Sequence, residues 1–172
     1  MKNIEIEKKY LIRKKDIGFS LNRFKYSKIV QGFIYLKPAI RIRKVDDKYY
    51  LTIKSKAPKE LSGFDDLVRT EYDIEISKKA YLDLLKLCKG RIIYKTRYYI
   101  PYKFNKKLYT IELDVFEKAL KGLIYAEIEF KTVKDAQKIR VPEWFYKDIT
   151  NIEKYKNTQL SICKNVENVL KY

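Results

Sequence analysis

The chain has 172 residues, 46% of them hydrophobic, which predicts a single globular domain over residues 1–172. It carries 39 Lys and Arg against 22 Asp and Glu, a formal charge of +17, and no histidine. Without histidine, Ser-His-Asp and Cys-His catalysis and His-ligated zinc are excluded, and proton transfer near pH 7 needs a carboxylate, a lysine, a tyrosine or metal-bound water.

The cysteine content, the N-terminal residues and the distribution of charge constrain the location and the partners of the protein. Only two cysteines are present, Cys88 and Cys163, so no disulfide scaffold is expected, and both thiols are predicted to be buried on helix faces. Charged residues follow Met1 almost at once and no run approaches roughly 18 apolar residues, so we expect a cytoplasmic protein without a membrane span. The positive charge favours an anionic partner, but it is spread along the chain and no nucleic-acid motif accompanies it.

Strand patterns dominate the chain. Alternation of polar and apolar residues predicts eight strands, near Ile4–Ile12, Lys28–Leu36, Ala39–Val45, Tyr49–Lys56, Val68–Ile76, Ile92–Tyr102, Lys107–Phe116 and Leu123–Lys131. Residues 46–48 and 104–106 are predicted hairpin turns. The stretch from 57 to 67, which includes the pair Asp65 and Asp66, is a predicted loop.

Helices are predicted between and after the strands. Ser77 is a predicted N-cap for a helix that we expect Gly90 to stop, and a short helix is predicted after Thr132. A last helix is predicted from position 157 or 158 towards Tyr172, with Val166 on its apolar side. Residues 16–26 carry a helical pattern that a glycine interrupts.

Charged residues of like sign recur at alternate positions of the predicted strands, which places each doublet on one face. The acidic doublets are Glu5–Glu7, Glu71–Asp73, Glu112–Asp114 and Glu127–Glu129, and the basic doublets are Arg41–Arg43, Lys54–Lys56 and Lys95–Arg97. Carboxylates at alternate strand positions lie roughly 6.6 Å apart and repel, so a hard cation suits the acidic doublets. A polyanion suits the basic ones, and together they predict a phosphate site with a divalent metal.

Two arrangements accommodate eight strands with one polar face. The polar face of a sandwich would be exposed to solvent, whereas a closed barrel would hold the charges in its lumen. We favour the barrel, because closure removes exposed edges and the amphipathic helices then cover an apolar exterior. The predicted fold is therefore mainly β within the α+β class, an eight-stranded antiparallel β-barrel with a charged lumen and helices packed outside.

The assembled motifs resemble those of the CYTH superfamily, also called triphosphate tunnel metalloenzymes. Residues 4–11 are similar to the N-terminal Glu-x-Glu-x-Lys signature of that family. The later motifs follow in the family's order: Gln31-Gly32-Phe33, Arg41-x-Arg43, Thr52-Ile53-Lys54, Arg69-Thr70-Glu71-Tyr72, Lys95-Thr96-Arg97-Tyr98, Glu112-Leu113-Asp114-Val115-Phe116, Ala126-Glu127-Ile128-Glu129, Trp144 and Tyr155-Lys156-Asn157. The resemblance covers nearly the whole chain and is greatest to small bacterial inorganic triphosphatases.

The resemblance implies a tunnel that binds a triphosphate together with Mg²⁺ or Mn²⁺. It implies metal-side residues Glu5, Glu7, Asp114, Glu127 and Glu129, and phosphate-binding residues Lys9, Arg41, Arg43, Lys54, Arg69, Lys95, Arg97, Lys154 and Lys156. Outer carboxylates that support these groups would be Glu71, Asp73 and Glu112. The implied activity is hydrolysis of inorganic tripolyphosphate to pyrophosphate and phosphate.

One position departs from the family pattern. Small bacterial triphosphatases of the family resemble one another in a tyrosine after Gln-Gly, which can pair with the lysine at the position of Lys95. Here that position is Phe33, and we expect Tyr35, two residues along the strand and on the same face, to supply the hydroxyl. The implied catalytic residues are therefore Lys95 and Tyr35, with metal-activated water as the alternative base.

Other functions stay open at this point. A class IV adenylyl cyclase would use the same tunnel, although the His-Phe element in which cyclase members resemble one another is missing here. Hydrolysis of thiamine or nucleoside triphosphates is a further alternative, as is a non-catalytic polyanion-binding module. Nucleic acid is disfavoured because most aromatic residues alternate with the charges and do not share their face. Assembly of two copies also stays open.

Overall fold

The strands form a single closed sheet. In the computed structural model, which describes residues 4–64, 67–164 and 167–170, nine strands are present. They are β1 (Ile4–Leu11), β2 (Lys25–Leu36), β3 (Ala39–Val45), β4 (Lys48–Lys56), β5 (Val68–Glu75), β6 (Lys89–Phe104), β7 (Lys107–Phe116), β8 (Ile124–Glu129) and β9 (Lys147–Asp148). All eight strand positions predicted from alternation are confirmed.

Closure of the barrel comes from the two sides of β1. The hydrogen-bonded order is β5-β4-β3-β2-β6-β7-β8-β1, and residues 4–6 of β1 pair with β5, which completes a ring of eight antiparallel strands. The short β9 pairs with the last two residues of β1 as an extra strand. The barrel is therefore confirmed and the sandwich alternative is wrong.

Helices are short in the described part of the chain. They are α1 (Lys78–Leu85), α2 (Val133–Lys138), α3 (Asn157–Ile162) and α4 (Glu167–Leu170). The hydroxyl of Ser77 accepts a hydrogen bond from Ala80 N at 3.1 Å, which confirms the predicted cap. The predicted helix after Thr132 is also confirmed, and the hydroxyl of Thr132 caps it by accepting a hydrogen bond from Asp135 N at 3.1 Å. None of these helices is long and apolar enough to cross a membrane.

Several local predictions are corrected. The last predicted helix ends at Ile162, because Cys163 adopts an extended backbone with ψ of 128°. Val166 and Tyr172 lie outside the described residues, as do Asp65 and Asp66 of the predicted loop. That loop contains a 3₁₀ segment at Lys59–Phe64.

The helical prediction for residues 16–26 is also wrong. Two single 3₁₀ turns, Lys14–Asp16 and Leu21–Arg23, occupy this region before β2 begins at Lys25. The cysteines follow helices and do not lie on helix faces, and both thiols are free and only half-buried. Short turns and helix ends thus replace the longer helices that the apolar spacing indicated.

Two apolar clusters hold the barrel. One packs on the outer face of β1, β7 and β8, where Ile6, Leu113 and Ile128 meet the side chains of Phe19 and Trp144. The other fills one end of the barrel. Its members include lumen-side residues of five strands and residues of the C-terminal segment: Leu11, Phe33, Ile93, Phe116, Tyr125, Tyr155 and Leu160. The charged lumen is therefore bounded at this end by an apolar plug.

Gly90 does not stop α1, which ends at Leu85; it lies at the start of β6 with φ of +73°. A Cβ at this position would lie 2.4 Å from the carbonyl oxygen of Ser161 in α3. Both the positive φ and the close approach of two backbones require glycine here. This residue thus determines how closely α3 packs on the barrel.

We predict that Gly90→Ala destabilises the protein. The backbone conformation alone costs about 1–3 kcal/mol for a residue other than glycine, and each kcal/mol corresponds to a fall in Tm of roughly 2–4 °C at this chain length. Thermal unfolding followed by circular dichroism measures the effect. Gly18→Ala is the matched control, because nothing lies within 4 Å of a Cβ there. Equal melting temperatures for the two variants would contradict the assignment.

Candidate anion and metal site in the barrel lumen

The lumen is a cavity of about 360 Å³ between the two ends of the barrel. Charged side chains project into it from seven of the eight barrel strands, at the alternate positions that the sequence indicated. They are Glu5, Glu7, Lys9, Arg41, Arg43, Lys54, Glu71, Asp73, Lys95, Arg97, Glu112, Glu127 and Glu129. The structure thus brings together most of the predicted site residues.

Arg97 is the most connected cation of the lumen. Its Nε lies 2.6 Å from Asp114 Oδ1, and its Nη2 lies 2.7 Å from Asp114 Oδ2 and 2.5 Å from Glu127 Oε2. The Nη1 atom donates to Glu112. Burial alone would lower the pKa of Arg97, but the three carboxylates raise it well above its ordinary value. Arg97 is therefore a permanent positive charge that holds β6, β7 and β8 together.

Lys95 and Asp114 form the deepest ion pair. Their Nζ and Oδ2 atoms are 2.5 Å apart, and the residues are 3% and 0% exposed. Burial lowers the pKa of Lys95 to about 8 although Asp114 opposes this, and the neighbouring Arg97 also lowers it. Asp114 does not line the cavity and uses both oxygens on Lys95 and Arg97, so the structure assigns it to holding these cations. The role of Asp114 as a metal ligand, which the resemblance implies, stays a prediction.

Lys54 is shared by two carboxylates. Its Nζ lies 2.6 Å from Glu5 and 2.5 Å from Glu71. Burial raises the pKa of Glu5 to about 8, and repulsion from Glu7 adds to this. Although burial also opposes the charged form of Glu71, Lys54 and Arg41 lower the pKa of its carboxyl. One ammonium therefore neutralises Glu71 while Glu5 keeps a proton near neutral pH.

Glu7 and Glu129 interact with the lumen cations only at longer range, most of all with Lys54. They are directly opposite each other on β1 and β8, and neither forms an ion pair with a described residue. Burial and Glu7 raise the pKa of Glu129. Like charges in direct cross-strand register destabilise a sheet. These two residues are therefore where a cation would be most stabilising.

The donor set fits a hard divalent cation. Across residues 4–64, 67–164 and 167–170, no group of three or more His, Cys, Asp or Glu side chains is arranged to hold a metal ion. Magnesium, however, is commonly bound by one or two carboxylates, with waters and substrate phosphate oxygens completing its six positions. A pair such as Glu7 and Glu129 meets that requirement, whereas a closed zinc or calcium site would need more protein ligands.

Two arginines retain unused donors inside the barrel. The Nε atoms of Arg41 and Arg43 are buried and have no hydrogen-bond partner. Arg41 pairs with Glu71 at 3.3 Å and Arg43 with Asp73 at 2.5 Å through their Nη2 atoms only. Burial and the adjacent Arg41 lower the pKa of Arg43. Buried unpartnered donors are uncommon, and here they indicate an anion of phosphate type.

A second cavity adjoins the lumen at the plug end of the barrel. This cavity, which we call the vestibule, has a volume of about 870 Å³ and lies between the starts of β3 and β5, the end of β4, and the segment 150–158. Arg69 and Lys156 line the vestibule and not the lumen. Lys154 lines neither cavity; it is exposed, and its Nζ lies 4.8 Å from the centre of the Tyr155 ring. The prediction that Lys154 holds phosphate is therefore withdrawn.

Tyr35 does not share a face with Phe33, contrary to the expectation from strand alternation. The register of β2 against β3 shifts between these residues, so that Phe33 pairs with Arg41 while Tyr35 pairs with Ile40. Such an irregularity turns the following side chains to the opposite face. Phe33 is 2% exposed in the plug, and Tyr35 is 50% exposed on the outer wall. Tyr35 therefore cannot supply a hydroxyl to the lumen.

Sequence reasoning missed other residues at the site. Thr52 is buried on the lumen face of β4 and donates a hydrogen bond to Asp73. Asn157, at the start of α3, lines both cavities, and its Oδ1 is buried without a partner. Lys37 and Lys56 line the vestibule. For Thr52 and Lys56 the alternation with Lys54 was a usable signal, and for Asn157 the motif Tyr155-Lys156-Asn157 was one. Lys37 reaches the site only through tertiary structure.

The fold and the site define a closed antiparallel barrel whose lumen combines cations with carboxylates. Residues 3–160 match the family described as CYTH domain, and the chain belongs to that family.

Named relatives have similar length and sequence. The chain is 30% identical over 164 residues to an inorganic triphosphatase of Nitrosomonas europaea, covering 92% of this chain and 97% of that protein. It is 31% identical over 159 residues to an inorganic triphosphatase of Acetivibrio thermocellus, covering 91% and 92%. The crystal structure of the inorganic triphosphatase NE1496 superposes with a TM-score of 0.62 at 28% identity, over 92% of this chain and 95% of that one.

We predict that the stability of the metal-free protein falls between pH 5 and pH 8. The pKa values of Glu5 and Glu112 rise from 4.5 to about 8 and about 7, so their stabilising protons are fully bound below about 4.5 and lost as the pH rises through 7 to 8. Carboxyls with lowered pKa values, such as Glu127, change only below this window. The lowered pKa of Lys95, about 8, acts in the opposite direction, but its effect begins only at the upper end of the window.

The measurement is Tm against pH in EDTA. Each unit of pKa shift corresponds to about 1.4 kcal/mol, so a fall of several degrees is expected at roughly 2–4 °C per kcal/mol. Glu5→Gln and Glu112→Gln should each flatten the curve. A Tm that rises from pH 5 to pH 8, or an unchanged slope in both variants, would contradict the assignment.

Proposed function

We propose that this protein is a divalent-metal-dependent phosphohydrolase that cleaves inorganic tripolyphosphate to pyrophosphate and phosphate. The observation that carries the proposal is the juxtaposition, in one enclosed lumen, of unpartnered arginine Nε donors and two facing carboxylates that form no ion pair with a described residue. The identity of about 30% with two proteins named inorganic triphosphatase supports the same activity. Phosphoryl transfer needs mainly positioning and charge neutralisation, which this arrangement supplies.

Arg41 and Arg43 are proposed to bind the phosphate chain. Their free Nε donors can add hydrogen bonds to phosphate oxygens without first breaking the ion pairs that their Nη2 atoms make with Glu71 and Asp73. Lys9 and Lys54 face the same cavity and contribute positive charge. The apolar plug limits water around the substrate, which strengthens each of these electrostatic interactions.

Glu7 and Glu129 are proposed to hold the metal, Mg²⁺ or Mn²⁺, with Glu5 beside them. When bound, the ion would neutralise negative charge on the phosphate oxygens. Glu112 and Glu127 are engaged by Arg97, and Glu127 is also bonded to Lys9 at 2.8 Å. These two carboxylates therefore hold the cations in place and are not proposed as direct ligands.

Lys95 is proposed as the general base. In its neutral form its Nζ would take a proton from the attacking water while the bond between the terminal phosphorus and the bridging oxygen breaks. The lowered pKa makes the neutral amine available near pH 8. Asp114 fixes the position of Nζ, and Phe33 leaves Lys95 without the tyrosine partner that the family pattern implied.

The location and assembly of the protein stay predictions. A cytoplasmic setting and a single domain over residues 1–172 are expected from the sequence, and assembly into a homodimer stays open. Binding of a small-molecule triphosphate, and not of nucleic acid, follows from the proposed activity.

The proposed function is tested by measuring phosphate release from three substrates: tripolyphosphate, ATP and thiamine triphosphate. Each is assayed with Mg²⁺ or Mn²⁺. We expect tripolyphosphate to be the best substrate and excess EDTA to abolish release. Glu7→Gln and Glu129→Gln should lose at least about 100-fold in kcat while remaining folded, because an amide is a poor ligand for a hard cation.

Glu143→Gln is the matched control, since Glu143 is exposed and lines neither cavity. A second readout is binding: Mg²⁺ or Mn²⁺ with tripolyphosphate should raise the Tm of the wild type and of Glu143→Gln, but less that of the two site variants. Full activity in EDTA, or wild-type activity in both site variants, would exclude the metal assignment.

A pH profile tests the role of Lys95. We predict that log(kcat/KM) rises with pH to a plateau above about pH 8, because only the neutral amine accepts a proton. Lys95→Met should lose the activity by about 100-fold or more together with this rise. Tyr35→Phe is the control and should match the wild type, because Tyr35 lies on the outer wall. An unchanged alkaline rise in Lys95→Met would show that another group is the base.

A further inference from the structure

The two cavities differ in charge balance. The described residues around the lumen include six Lys or Arg and seven Asp or Glu. Those around the vestibule include seven Lys or Arg and only two Glu, namely Glu7 and Glu153. The lumen is therefore close to neutral when no ligand is bound. The charged residues that line only the vestibule, Lys37, Lys56, Arg69, Lys156 and Glu153, carry a positive excess.

The cations of the two cavities also differ in how they are paired. In the lumen, each of the six cations forms an ion pair with a carboxylate on another strand of the barrel. In the vestibule, Lys37, Lys56 and Arg69 form no salt bridge with a described residue, and the Nη1 of Arg69 donates only to the carbonyl of Val68. Lys156 pairs with Glu153 at 2.5 Å, and Lys9, Arg41 and Lys54, which the vestibule shares with the lumen, keep their lumen ion pairs. Lys37, Lys56 and Arg69 are thus available to an incoming anion.

We propose that the vestibule is a separate docking site for linear inorganic phosphates that operates without metal. A polyanion that enters the metal-free lumen meets repulsion from Glu7, Glu129 and the other carboxylates, which a divalent cation must offset. In the vestibule the same polyanion meets mainly positive charge, and the hydroxyls of Ser55 and Thr158 add donors. Docking therefore precedes, and does not require, occupation of the metal site.

The vestibule leads directly into the lumen. Glu7, Lys9, Arg41, Lys54 and Asn157 line both cavities, so a phosphate chain held in the vestibule already contacts the entrance of the tunnel. A cleft of one charge sign raises the local concentration of a ligand of the opposite sign and its association rate. The inference rests on the proposed function in one respect, namely that the docked polyanion is the substrate on its way to the metal.

Binding of tripolyphosphate to the intact protein in EDTA tests this site. The double variant Lys37→Glu/Lys56→Glu should raise the Kd measured by calorimetry at low salt by about tenfold or more. Lys78→Glu/Lys79→Glu is the matched control, because both lysines are exposed on α1, line neither cavity and give the same change in net charge. The control should retain the wild-type Kd.

Additional variants and a stability control distinguish the possible outcomes of this experiment. Lys37→Gln/Lys56→Gln should give a smaller increase in Kd, and thermal unfolding verifies that each variant is folded. An unchanged Kd in Lys37→Glu/Lys56→Glu, or an equal increase in the control, would overturn the proposal. Loss of metal-free binding in Arg43→Ala but not in the vestibule variant would assign docking to the lumen. Because these readouts need no turnover, they remain interpretable if the protein hydrolyses no triphosphate.

Discussion

Charges enclosed by a closed barrel have little access to water, and each must be neutralised by another side chain or by a ligand. The ion pairs of Arg97 with Asp114 and Glu127 meet this condition across three neighbouring strands. Removing one partner of a buried pair typically costs about 3–5 kcal/mol, because the remaining charge is left without compensation. The register of the strands, the form of the lumen and the positions of its donors all depend on this mutual neutralisation.

The neutralisation is incomplete, and its gaps define the site. A lumen with every charge paired would offer little to a ligand. Glu7 faces Glu129 and neither forms an ion pair with a described residue, while the Nε atoms of Arg41 and Arg43 lack acceptors. In a complex of metal and phosphate, the cation can bind the two carboxylates and the phosphate oxygens can accept hydrogen bonds from the Nε atoms, so one ligand satisfies both groups. Because the paired residues already fix the positions of their neighbours, binding requires little rearrangement of the protein.

Strand alternation predicted the fold and most lumen residues, because a period of two places every second side chain on the same face of a strand. The prediction was wrong where alternation stops. The register shift after Phe33 moves Tyr35 to the outer wall, and sequence spacing gives no sign of it. The sequence also does not indicate which charged side chains form ion pairs with each other. Asp114 lies in the expected position, but both of its oxygens bond to Lys95 and Arg97. Lys37 approaches the site only through the packing of distant segments.

Gly90 connects the wall of the barrel to the shape of its opening. The helix that packs on this glycine, α3, begins with Asn157 and Thr158, which form one side of the vestibule. The guanidinium of Arg91, the next residue, bonds the carbonyl oxygens of Leu160 and Cys163 and so fixes the far end of the same helix. A side chain at position 90 would push the helix outward and widen the opening. The position of this side of the opening therefore depends on the absence of a single methyl group at a residue of β6 that does not line the vestibule itself.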